Sequence, residues 1–118
     1  MSTLNVANIT DGTDTVETGY VVNGSAKAFW RSATTYTLGS SLNVSSMTDN
    51  GTGSYNVSFS SAFTSSDNIV ATFGNVSTVP RVYGGSVVSA SEMTCRMHNT
   101  SGATIDTNAA GSVNGNLA

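Results

Sequence analysis

Residues Met93–His98 read MTCRMH, and their strict alternation decides the fold class. Met93, Cys95 and Met97 fall on one side, and Thr94, Arg96 and His98 on the other. Successive side chains of a β-strand point to opposite faces, so this is the pattern of a half-buried strand. The same period recurs in YNVSF, where Tyr55, Val57 and Phe59 alternate with Asn56 and Ser58. It recurs in NIVATFGNV, where Ile69, Ala71 and Phe73 oppose Val70 and Thr72. AKAFWRS is apolar on both sides. Ala28 and Trp30 share one face, while Phe29 shares the other with Lys27 and Arg31. That makes Phe29 a candidate for contact with a second layer or a second subunit. In SSLNVSS, Leu42 and Val44 are the expected inward pair, and GSVVSA and GSVNGNLA complete the strands. No segment repeats apolar residues at helical spacing over ten or more positions, so no helix is expected. The one weak candidate for a helical turn is Ser60–Asp67.

Turn chemistry joins these strands. Asp49-Asn50-Gly51-Thr52-Gly53 separates the Val44 strand from the Val57 strand. Asn-Gly tolerates the positive φ of a tight type I′ hairpin, and Gly53 points to a longer loop with a second positive φ. Met47 is out of phase with Leu42 and Val44, which predicts a bulge at Ser45–Met47 or a strand ending there. Short strands parted by Gly- and Asn-rich turns predict an all-β chain, an antiparallel, jelly-roll-like β-sandwich. The sandwich is expected over residues 20–118, preceded by an N-terminal arm over residues 1–19.

Composition bounds the function. The chain has 118 residues, a length that fits one domain. Only 9% are charged and the net charge is −3. The four basic residues, Lys27, Arg31, Arg81 and Arg96, are scattered. Binding to nucleic acid, or to an anionic membrane surface, needs clustered cations, so neither partner is expected. No apolar run is long enough to insert across a bilayer. The opening MSTLNVANIT lacks the basic and apolar regions of a signal peptide, and Cys95 has no cysteine to pair with. Synthesis in a cytosol is the expectation. The arm carries Leu4, Val6 and Ile9, then a stretch at Asp11–Gly19 read as a flexible acidic loop. These apolar residues have no evident place in a self-contained core, which makes them a candidate docking arm; a frayed terminus is the alternative.

Catalytic constellations are weak. His98 is the single histidine, so a site with two histidine ligands is excluded within one chain. A Ser-His-Asp set from His98, Asp106 and any serine lacks a nucleophile elbow. Asp49, Asp67, Glu92 and Asp106 sit in turn-like or polar surroundings rather than the apolar ones that tune a glycosidase pair. Asp11 and Asp14 resemble a fragment of a calcium loop without its spaced ligands. No enzyme and no cofactor are expected. GNVSTVPRVYGG places Arg81 and Tyr83 in a candidate exposed loop for a sugar or a protein. Asn-X-Ser/Thr sequons at Asn8, Asn23, Asn43, Asn50, Asn56, Asn75 and Asn99 follow from composition.

Three stretches carry a resemblance: GSAKAFW near residue 25, SLNVSSMTDNGTGSYNVSFSSAF at Ser41–Phe63, and the closing SVNGNLA. They look like a module of tail-fibre and other virion surface proteins of tailed bacteriophages, especially marine ones. The likeness spans most of residues 25–118. It departs at RSATTYTLGS, so the contacts of that loop do not transfer. The resemblance implies a non-enzymatic virion protein made in the host cytoplasm. It implies a homotrimer bound to other virion proteins, in a tail fibre or spike touching a host surface glycan. A capsid decoration (cement) protein is the alternative, and a small carbohydrate-binding module is a third reading.

Overall fold

A computed structural model describes residues 2–75 and 78–118. Its first elements are β1 (Asn8–Thr10), β2 (Thr15–Glu17) and a short helix α1 (Thr18–Gly24). Then follow β3 (Ala28–Ser32), β4 (Leu38–Leu42), β5 (Val44–Asp49) and β6 (Ser54–Phe59). The remainder is β7 (Val70–Asn75), β8 (Val82–Ser89), β9 (Glu92–His98) and β10 (Ala109–Asn114). Two four-stranded antiparallel sheets pack into a β-sandwich. One, sheet I, has the order β4-β3-β10-β7 and the other, sheet II, the order β5-β6-β9-β8.

The period-2 positions supply the core. Met93, Cys95 and Met97 are buried on β9, and Tyr55, Val57 and Phe59 on β6. Facing them from sheet I are Ala28, Trp30, Ala109 and Val113. Ile69, Ala71 and Phe73 pack at the margin, with the Trp30 and Phe73 rings edge to face at 6.3 Å. Gly111 lies across from Trp30. A Cβ there would come within 2.3 Å of the indole, so this close approach needs glycine.

The Asp49–Gly53 hairpin forms as a four-residue connection. Gly51 and Gly53 take positive φ (107° and 69°) while Asn50 does not, so the turn is the longer kind rather than type I′. The Asp49 carboxylate accepts from the Gly51 N–H at 2.8 Å. The register slips between Val44 and Ser46, which is the bulge that the phase of Met47 requires.

Two expectations are corrected. Leu42 and Val44 are not an inward pair: Val44 is buried, whereas Leu42 is exposed. Asn43 between them has φ 53°, and the chain changes sheets there, so the alternation restarts. A helix also exists, at α1. None of its residues is buried, so no apolar stripe announces it. The Ser60–Asp67 candidate overlaps a single 3₁₀ turn at Ser66–Asn68.

Ahead of β3, the chain folds back on itself rather than running as a strand and loose loop. β1 and β2 pair, with Ile9 opposite Val16. The turn is held by Asp11, whose Oδ1 accepts from the Thr13 and Asp14 N–H groups, each at 2.9 Å. The expected boundary at residues 19 and 20 falls inside α1.

Candidate functional site

Exposed apolar side chains gather in two places, besides the separate Val79, Val82, Val88 and Leu117. The first is the outer face of sheet I. Phe29 is opposite Leu42 on one side and Ser112 on the other, and Ser112 is opposite Thr72. Cross-strand partners share a face, so these four form one row. Phe29 and Leu42 are 42% and 49% exposed, and Val70 on the same face is 63% exposed. Beside the row lies an open depression with Thr72, Gly74, Ala110, Gly111 and Ser112 among its lining residues. The small side chains of β10 and β7 leave Phe29 standing as its wall. Arg31, two residues along β3, is exposed on the same face as Phe29.

The second place is the N-terminal segment. Leu4 is 84% exposed, and Val6, Ile9, Val16, Tyr20, Val21 and Val22 are all exposed. Ile9 and Val16 are cross-strand partners and therefore present a joint apolar face. A lone two-stranded hairpin and a seven-residue helix are each marginal without a surface to pack on. Leu4, Val6 and Ile9 are thus placed as the sequence led one to expect, outside any core. Val16, Tyr20 and Val22 were missed; the placing of Ile9 and Val16 about the Asp11–Asp14 turn was a signal for Val16, and no local signal marks Tyr20 and Val22 in α1.

The Arg81–Tyr83 proposal is corrected in part. Tyr83 lies in β8, opposite buried Met97, and packs against the core rather than standing in an exposed loop. Arg81 precedes the strand and is half-buried. Val76 and Ser77, part of the same stretch and of the Asn75 sequon, lie outside the described residues. Val79 and Pro80 are exposed.

Sheet II turns a different surface outward. Asn56 Oδ1 accepts from Asn50 Nδ2 at 2.6 Å and from Thr94 Oγ1 at 2.8 Å. Asn56 Nδ2 donates to Glu92 at 2.9 Å. These polar groups satisfy one another across β6, β9 and the turn before β6, which makes a self-contained ladder. Arg96 and His98 lie farther along β9, opposite Gly84 and Val82.

Asp106, Tyr36, Tyr55 and Asp11 have structural partners. Asp106 Oδ1 accepts from the Gly53 N–H at 2.7 Å and from the Tyr36 hydroxyl at 2.8 Å. Those bonds hold its carboxyl below the usual carboxylate range. Tyr36 stacks on Tyr55 at 4.8 Å, and Tyr55 accepts from Trp30 Nε1 at 3.2 Å. Burial raises both phenols above their ordinary value. It pushes the Cys95 thiol up to about 12. Asp11 is occupied by its own turn, and its carboxyl is lowered by those backbone N–H groups. Among the described residues, no three His, Cys, Asp or Glu side chains gather as a metal site. No described helix is long and apolar enough to cross a membrane.

Family models, curated proteins and solved structures yield no match to this chain.

Proposed function

We propose that this chain is a non-enzymatic structural protein of a tailed-phage virion. It is a homotrimeric surface component of tail-fibre or spike type, bound to other virion proteins and touching a host surface glycan. The observation that carries the reading is the uncovered apolar surface. Phe29 and Leu42 on sheet I, and Leu4, Ile9, Val16, Tyr20 and Val22 ahead of it, are all exposed in the single chain. A small domain recovers hydrophobic stabilisation by burying such residues between subunits. The sequence likeness at Ser41–Phe63 supplies the virion context.

A second reading, a capsid decoration protein, is favoured by the N-terminal segment alone. A hairpin and short helix with exposed apolar residues suit docking on a coat surface. Cryo-electron microscopy of the intact particle tests both. A few copies at the tail support the fibre reading, and copies repeating over the shell support the decoration reading. Density in neither place refutes the virion assignment. Light scattering of the purified chain tests the oligomer, with a mass three times that of the chain expected.

A further inference from the structure

We infer that the β1–β2 hairpin of one copy docks on the outer face of sheet I of a neighbouring copy, against Phe29, Leu42 and Arg31. This rests on the homo-oligomer reading above and names its contact. Area is the first argument. The chain exposes 6898 Å², whereas a compact monomer of this mass exposes about 6,000 Å². The excess, about 900 Å², matches the roughly 800 Å² that each partner contributes to a standard interface. The radius of gyration of 16.5 Å likewise exceeds the value of about 13.5 Å for a compact chain of this length.

Charge is the second argument. Arg31, one of the four basic residues, is exposed beside Phe29 on β3, whereas the Lys27 ammonium, just ahead of the strand, donates to the Val22 and Ser25 carbonyls. Three of the seven acidic residues, Asp11, Asp14 and Glu17, lie in the hairpin. The apolar pair Ile9 and Val16, with Asp11 and Asp14 at the adjoining turn, therefore meets an apolar row beside Arg31. Such complementarity fixes register and orientation between partners. The two surfaces differ, so every copy is satisfied only in a closed assembly, either a two-fold dimer that exchanges hairpins or a ring. Closure favours a finite oligomer over an open chain, and the trimer of the proposed function is one such ring.

Mixing two variants tests the contact directly. Ile9→Cys and Ser112→Cys chains, combined under oxidising conditions, are expected to give a mixed disulfide dimer; Cys95 is buried and does not compete. Arg31→Glu is expected to raise the concentration at half-assembly at least tenfold with an unchanged circular dichroism spectrum. Asp14→Lys in the same chain is expected to restore it. A chain that stays monomeric at all concentrations overturns the homo-oligomer reading and this inference together. Trimers that form without the cross-link and ignore Arg31→Glu overturn this inference alone. So does a cross-link formed only within one chain when both cysteines are present.

Discussion

Replacing Gly53 by alanine strikes the hairpin where it meets the rest of the sandwich. Gly53 has φ 69°, and an added Cβ would lie 2.6 Å from the Met97 carbonyl oxygen and 2.9 Å from the Ile105 nitrogen. Both are backbone atoms, so no side chain can rotate away. The Gly53 carbonyl also accepts from the Met97 N–H at 2.8 Å, which pins the loop against β9. The left-handed backbone costs a residue with a Cβ about 1–2 kcal/mol. Forced overpacking adds about 1–3 kcal/mol. The expected loss is thus about 3 kcal/mol, or about 12 °C in Tm at roughly 4 °C per kcal/mol for a domain of this size. Gly51→Ala is the control: φ is 107°, yet nothing lies within 4 Å of the added atom. It should incur only the backbone part, about 1–2 kcal/mol. Urea denaturation followed by the fluorescence of the single tryptophan, Trp30, measures both. Equal losses for the two variants would show that the crowding at Met97 and Ile105 is not real.

The other predictions use the same readouts. Gly111→Ala should displace the Trp30 indole, cost about 1–3 kcal/mol, and shift tryptophan emission; native emission and an unchanged midpoint would contradict the close approach. Tyr36→Phe removes the hydroxyl that Asp106 accepts from and should cost about 1 kcal/mol, measured in the same urea titration. Because the folded Asp106 carboxyl is depressed below 3.8, its contribution is present above that pH and is lost as pH falls through the folded value. The urea midpoints of the parent protein and Asp106→Asn should therefore differ from pH 7 down to about 5 and converge in acid. Divergence in acid would refute the assignment. Cys95, buried and with its thiol pushed up to about 12, should resist an aromatic disulfide reagent at pH 8 until urea unfolds the chain. Rapid labelling of the native protein would mean that the core opens there.

Some of this protein is written locally. Alternation alone placed Met93, Cys95 and Met97, and Tyr55, Val57 and Phe59, on the faces they occupy, because the strand repeat is set by backbone geometry. Gly51, Gly53 and the phase of Met47 located the hairpin and its bulge for the same reason. The exposure of Leu4, Val6, Ile9 and Phe29 was legible too, as apolar residues with no local partners. What only the tertiary structure decided depends on residues far apart in sequence. Asn43 takes a positive φ and sends β4 and β5 into different sheets, so Leu42 turns outward although its spacing to Val44 reads as inward. Tyr83 faces the core because β8 pairs with β9 in the register that sets it opposite Met97. Asp106 holds Tyr36 and Gly53 across 70 and 53 residues of chain, a contact that no spacing encodes. Periodicity says which side of a strand is apolar; which surface covers that side is settled by the burial of the whole chain.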